Sequence, residues 1–325
     1  MEEQVFQQRT DLTKLNEAVN NIRETVGKVI VGQHKMVDLL IAGLLSDGHI
    51  LIEGVPGVAK TLTAKLIAKI IDVDFSRIQF TPDLMPSDVL GTSVFNPGDA
   101  KFHFKAGPVF SNIVLIDEIN RAPAKTQAAL FEIMEERQAT IDGHTYIMKP
   151  PFMVLATQNP VEQEGTYRLP EAQLDRFLFK IDVGYPTLQE EVMILEKQHH
   201  LNQKDLLNDI PKILSADDID AYRSTIRQIN VETKLLEYIA KIVNETRNNP
   251  ALYLGASPRA SLNILKAAKA IGAIKGRDFI TPEDIVEVTP HVLRHRIILA
   301  PEKEMEGITA DELIEKIIKS IEIPR

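Results

Sequence analysis

The sequence predicts an α/β protein: a parallel β-sheet sandwiched by helices, carrying two hairpin inserts and followed by a small all-helical domain. Three observations predict it. Short apolar runs recur at 49–54, 78–81, 112–118, 152–157 and 178–183, separated by longer, often helical stretches, as in buried strands joined by crossover helices. A glycine-rich turn lies between the first run and the helical pattern after it. From about Ser215 the β runs stop and helix-start signals replace them.

Composition sets the bounds. A chain of 325 residues with 44% hydrophobic content can build one large domain and a smaller one. The absence of cysteine excludes disulfides, thiolate metal sites and cysteine nucleophiles, and fits a reducing cytosol. The first twelve residues carry no export pattern, and the apolar run at 39–45 is too short to span a bilayer, so the expected location is cytoplasmic without membrane insertion. A net charge of −9 disfavours a polyanionic partner. His199 with His200, and His291 with His295, have no completing ligand set and are assigned to surface or packing.

In chain order, Leu15, Val19, Ile22 and Val26 form the apolar stripe of a helix over 12–26. The turn Val31-Gly32-Gln33 leads into a second helical pattern, HKMVDLLIAGLL, and then into the strand HILIEG. Asn96, Pro97, Gly98 and Asp99 divide two β-prone stretches, and Asp142-Gly143 is a hairpin signature. Both read as hairpins inserted in the α/β frame. Ser215 with Asp218 and Thr309 with Glu312 are capping boxes, and Thr281-Pro282 is a further helix start. The final helical pattern places Leu313, Ile317 and Ile321 on one side.

The chemistry gathers at three strand ends. Gly54-Val55-Pro56-Gly57-Val58-Ala59-Lys60-Thr61 follows the first strand and opens the helical run that begins at Leu62. Glycines there let backbone N–H groups wrap phosphates while the helix presents its positive end to them. Lys60 is expected on the β- and γ-phosphates of ATP and Thr61 on magnesium. Ala59 stands where a second glycine is usual, and its methyl would crowd the backbone near the phosphates. The run Ile113-Val114-Leu115-Ile116 ends in Asp117-Glu118, carboxylates at the carboxyl edge of a parallel sheet, where ligands of open α/β folds bind. Asp117 suits a magnesium ligand and Glu118 a general base. The run 152–157 ends beside Asn159, a polar residue placed to orient water if its strand lies between the other two; alternatively Asn159-Pro160 simply opens a turn.

With these motifs in place, the chain closely resembles the MoxR family of AAA+ ATPases over most of its length. The likeness rests on VGQ at 31–33, GVPGVAKT at 54–61, DEINRAPAKTQAALFEIMEERQ at 117–138, ATQNP at 156–160, PEAQLDRF at 170–177 and GASPRA at 255–260. The resemblance implies that Asn159 is the first sensor and Arg259 a second sensor on a helical lid. It implies also that Arg176 is the arginine finger entering a neighbour's site, with Arg121 the other arginine able to act across an interface, and that the backbone at Val31 and Gly32, with the loop from Gly54 to Leu62, binds the nucleotide. Arg176 in an ion pair with Asp175 or Glu171 of its own subunit is the plainer alternative. The implied layout is a helix over 1–26 packed on the core, an AAA+ domain over 27–200, a linker over 201–214 and a lid over 215–325. The two hairpins correspond to pore-facing inserts, in which Phe95, Phe102 and Phe104 either grip an apolar segment or pack beneath the insert.

The function implied is a homo-oligomeric ring, most often hexameric, that hydrolyses ATP to remodel or activate a protein client or to assist metal or cofactor insertion. A protein with a von Willebrand factor A domain is the implied partner. Two alternatives compete: a nucleic-acid motor, for which Lys101 and Lys105 are the only cations near the first hairpin, and a nucleotide-sensing scaffold with negligible turnover. The joint presence of Lys60, Asp117, Glu118, Asn159, Arg176 and Arg259 argues against the scaffold.

Overall fold

The computed structural model describes residues 10–55, 57–159, 167, 169–200 and 210–324, with backbone alone at 198 and 200. Of the predicted features, Pro56, Pro160, residues 1–9 and residues 201–209 of the expected linker lie outside the described residues. The chain forms two compact units, one of Asn21–Ile219 and one of Asp220–Arg325 with the chain up to Asn20. The N-terminal helix α1 (Thr13–Val29) contributes its first half to the second unit and its remainder to the first. Its predicted stripe of Leu15, Val19, Ile22 and Val26 is buried.

In the first unit, α2 (His34–Leu45) precedes β1 (His49–Gly54), and α3 (Lys60–Ile71) leads to β2 (Phe75–Gln79). After the short α4 (Pro86–Leu90) come hairpin strands β3 (Gly91–Asn96) and β4 (Lys101–Ala106), then β5 (Ile113–Asp117) and α5 (Ala124–Glu136). A second hairpin, β6 (Gln138–Ile141) with β7 (His144–Ile147), precedes β8 (Met153–Gln158). The unit closes with the single-turn α6 (Glu171–Leu174), β9 (Phe177–Val183) and α7 (Leu188–His200).

The five-stranded sheet runs β2-β5-β8-β1-β9, parallel throughout. Side chains alternate between its faces. Leu51, Val114, Ile116, Val154 and Phe177 enter one core with Leu130, Phe131 and Met134 of α5. On the other face Ile50 and Met153 lie against α2 at Gly43. Helices therefore cover both faces, and the strands read as continuous apolar runs because neither face meets water.

One strand departs from its predicted bounds. The run at 78–81 is not itself the strand: β2 pairs Phe75–Gln79 with Ile113–Asp117, and Phe80 follows as a fully buried residue whose N–H donates to the Asp117 carbonyl at 2.9 Å. Pro82 and the Thr81–Asp83 side-chain bond of 2.6 Å end the extended backbone there.

Both hairpins form. Asp142 and Gly143 have φ of 51° and 79°, the pair of positive values a two-residue hairpin turn of type I′ requires. The hairpins are tied to each other, with Ser93 Oγ donating to Asp142 Oδ2 at 2.5 Å and Phe104 stacked on Tyr146 at 4.2 Å. The three phenylalanines therefore divide. Phe104 packs, touching Phe110 as well, whereas Phe95 and Phe102 face each other across the ladder at 5.4 Å and stay 50% and 71% exposed.

The second unit contains α8 (Ala216–Arg227) from Asp220 onward, α9 (Thr233–Asn248), α10 (Pro258–Ile274), α11 (Pro282–Leu293), α12 (Pro301–Met305) and α13 (Ala310–Ser320). A short antiparallel pair, β10 (Leu252–Leu254) with β11 (Ile298–Leu299), is added to this helical frame and was not foreseen from the sequence. The capping boxes close: Asp218 N–H donates to Ser215 Oγ at 3.1 Å, and Glu312 N–H to Thr309 Oγ1 at 3.2 Å. Each such cap contributes about 1 kcal/mol. On α13 the buried stripe is Leu313, Ile314, Ile317 and Ile318, while Ile321 falls at the helix end, where the backbone turns extended. Among the described residues no helix is long and apolar enough to cross a membrane.

Candidate functional site

The site is built at the carboxyl ends of β1, β5 and β8, three adjacent strands of a parallel sheet. The predicted middle position holds: β8, which ends at Gln158 just before Asn159, lies between β1 and β5.

Between β1 and α3 the backbone turns through left-handed conformations at Gly57 (φ 85°) and Ala59 (φ 57°). A Cβ added at Gly57 would meet no atom within 4 Å, so the loop faces open space there. Successive turns of this kind point N–H groups into one concavity, a cradle for an anion. Ala59 occupies a conformation that costs an L-residue about 1–2 kcal/mol, which explains why glycine is usual at that position. Val58 is buried, while Val55, Lys60, Thr61 and Leu62 are half-buried around the loop.

Lys60 Nζ donates to the Gly54 carbonyl at 2.5 Å, folding the ammonium back over the loop. Burial pushes its pKa below the ordinary lysine value, against the opposing pull of Asp117, Glu53 and Glu118. A lysine with a lowered folded pKa carries a desolvation cost while charged, and that cost falls as pH rises from the lowered value toward the ordinary one. Lys60→Met is therefore expected to leave the thermal midpoint of the nucleotide-free protein unchanged or higher at neutral pH. The same change is expected to weaken ATP binding roughly 10- to 100-fold, the loss of one charge-assisted bond, as read by calorimetric titration.

At the end of β5, Asp117 is buried and both its oxygens are engaged. Thr157 Oγ1 donates to Oδ1 at 3.1 Å and Arg77 Nε to Oδ2 at 2.6 Å. Thr157 Oγ1 in turn accepts the Glu118 N–H at 3.1 Å, so one hydroxyl of β8 fixes both acids. Glu118 sits in the left-handed region, φ 57° and ψ 53°, where the chain swings its carboxylate away from the strand line. That carboxylate accepts from Gln79 Nε2 at 2.8 Å and pairs with Arg121 Nε at 2.9 Å.

The remaining candidates lie on other elements of the chain. Asn159 is 9% exposed just past β8. Arg176 Nη1 donates to the Phe131 carbonyl of α5. Arg259 is exposed on the first turn of α10, in the second unit. Val31 and Gly32 form a half-buried turn in which Gly32 has φ of 68° and a Cβ would lie 2.2 Å from Glu190 Oε1. Glu190 also caps α7 by accepting the Thr187 N–H at 2.8 Å. The next residue, Gln33, reaches the loop between β1 and α3, its Nε2 donating to the Val58 carbonyl at 3.5 Å.

The donor set fits magnesium: a carboxylate and a hydroxyl, hard oxygen ligands of the kind that leave the remaining positions to water and substrate phosphates. Arg77, Gln79 and Thr157 were not singled out from the sequence. Thr157 had a signal, since it is the polar residue closing an apolar strand beside Asn159. Arg77 and Gln79 alternate on the exposed side of β2, a pattern that marks an edge strand but not what lies across from it.

Comparison with known proteins agrees with this geometry. The family model described as "ATPase family associated with various cellular activities (AAA)" matches residues 49–179, and the model "AAA lid domain" matches residues 244–317. Chaperone MoxR1 of Mycobacterium tuberculosis is 44% identical over 92% of this chain and 81% of its own length. The uncharacterized protein YeaC of Bacillus subtilis is 45% identical over 93% of both chains. The crystal structure of a putative ATPase from Cytophaga hutchinsonii matches with a TM-score of 0.87 at 44% identity, covering 97% of this chain and 96% of that one.

Proposed function

Because the chain belongs to the MoxR family of AAA+ ATPases, we propose that it hydrolyses ATP within a homo-oligomeric ring and uses the reaction to remodel or activate a protein client. The observation that carries this reading is the placement of Lys60, after an open left-handed loop, and of Asp117 and Glu118 at the carboxyl ends of β1 and β5, with β8 between them. In it, loop N–H groups from Gly54 to Leu62 and the Lys60 ammonium hold the β- and γ-phosphates, and the backbone at Val31 and Gly32 meets the adenine. Thr61 and Asp117 would hold magnesium, which supplies neutralisation of phosphate charge when bound. Glu118 accepts a proton from the water that attacks the γ-phosphorus, the bond to the bridging oxygen breaks, and ADP and phosphate result. Asn159 orients that water. Arg176 of a neighbouring subunit stabilises the charge that develops, and Arg259 reaches the phosphates from a lid.

The exposed Phe95–Phe102 pair favours a client offering an apolar peptide segment. Next to it, Asp99 pairs with His103 at 2.5 Å and sets a carboxylate beside the hairpin's Lys101 and Lys105, which disfavours a nucleic acid at this tip. A von Willebrand factor A domain protein, delivery of a metal or cofactor to the client, a hexameric stoichiometry and a cytoplasmic location complete the proposal.

Steady-state ATPase activity against protein concentration, with mass measured at each point with and without ATP, tests it. Specific activity is expected to rise with ring formation. Nucleotide-dependent assembly without turnover would support the scaffold instead, and turnover independent of concentration in a monomer would remove the ring from the mechanism.

A further inference from the structure

Arg77 reaches Asp117 from two residues along the neighbouring strand. The β2–β5 register sets Arg77 opposite Leu115 and Gln79 opposite Asp117, so the guanidinium crosses the ladder diagonally to a carboxylate that Gln79 faces directly. Its Nε lies 2.6 Å from Asp117 Oδ2. The two partners differ sharply in burial, the Arg77 side chain being 54% exposed and that of Asp117 9%. A half-exposed ion pair contributes little to stability, and β2 is already held by a continuous parallel ladder from Phe75 to Gln79. Fastening the edge strand therefore does not account for the contact.

Its location does. Asp117 is the acid that the nucleotide reading assigns to magnesium, and this inference rests on that reading. Thr157 engages the other carboxylate oxygen at 3.1 Å, so a cation arriving at Asp117 meets a guanidinium already seated on its ligand. Two cations sharing one carboxylate repel, and the repulsion is strong where water is partly excluded. Arg77 is also placed to leave. One strong bond and one long contact, Nη2 to Gln79 Oε1 at 3.5 Å, hold a flexible and largely solvated side chain. We propose that Arg77 is a resident counter-cation of Asp117: it occupies the carboxylate in the metal-free protein, withdraws when a divalent cation binds, and so sets how much magnesium the site requires. Withdrawal also removes a partner of Gln79, whose amide holds Glu118 at 2.8 Å, linking metal arrival to the freedom of the second acid.

The test titrates Mg²⁺ into the full chain at a fixed concentration of fluorescent ADP, after removal of metal, and reads the Mg²⁺ midpoint for ADP binding; bound Mn²⁺ measured by electron paramagnetic resonance repeats it without fluorescence. Arg77→Met, which keeps the apolar stem and removes the charge, is expected to lower the midpoint about tenfold or more, and Arg77→Lys to leave it within about twofold. ADP binding without metal should match the unmodified protein. Arg77→Gln serves as a second neutral variant should the methionine form fail to fold. A midpoint unchanged or raised in both neutral variants overturns the inference while leaving the nucleotide reading intact. Failure of the unmodified chain to bind ADP at any Mg²⁺ concentration overturns that reading and the inference with it.

Discussion

Arg176→Ala is expected to lower steady-state ATP hydrolysis by about 10³- to 10⁵-fold while ATP binding persists, the effect of removing a cation that stabilises charge only as the phosphoryl group transfers. Within its own subunit the guanidinium donates to the Phe131 carbonyl. That contact gives the variant a structural cost of about 1.5–3 kcal/mol at most, one hydrogen bond from a charged donor. A purely structural arginine would therefore show its loss in thermal stability and in activity together, in every subunit alike. Mixing separates the cases. Arg176→Ala subunits retain their own phosphate loop, and Lys60→Ala subunits retain their finger, so mixed rings contain interfaces at which an intact loop meets an intact finger. Hydrolysis is expected to recover in the mixture. Two inactive proteins that assemble together and never complement would return Arg176 to the role of a helix-to-strand tie on α5.

How much of this was legible beforehand depended on whether a residue's neighbours lie close in sequence. The glycine-rich loop, the acid pair at the end of β5 and the Asp142-Gly143 turn are local patterns, and each follows the strand its spacing implied. The central strands were legible for a related reason: burial on both faces leaves unbroken apolar runs. The edge strand was not. In β2 the polar Ser76 and Arg77 separate Phe75 from Ile78, the one buried residue, so no unbroken apolar run marks the strand, and it was read three residues late. The same cause hid Arg77 and Gln79, whose partners Asp117 and Glu118 lie 40 and 39 positions further along the chain. Thr157 stood inside a quoted motif, yet its bridging of the two acids depends on β8 lying beside β5, a fact of strand order. The pair β10–β11 was hidden by its brevity, two or three residues a side within helical surroundings.

Glu118→Gln should bind ATP as tightly as the unmodified protein and hydrolyse it about 10²- to 10⁴-fold more slowly, the usual contribution of a positioned general base. The substitution is informative because so little else changes. Glutamine has the same length, and its amide oxygen can still accept from Gln79 Nε2, now at 2.8 Å, while the charge pairing with Arg121 Nε at 2.9 Å is lost. It meets the same left-handed backbone, φ 57°, so strain of about 1–3 kcal/mol is common to both proteins and cancels from the comparison. What the amide cannot do is take the proton from water. Single-turnover hydrolysis and nucleotide affinity measured on the same preparation separate that loss from a binding defect. A variant that turns over at the original rate would move the base away from Glu118 and make its bonds to Gln79 and Arg121 structural. A variant that loses ATP binding as well would mean that the carboxylate's charge, countering the burial of Lys60, maintains the phosphate loop itself.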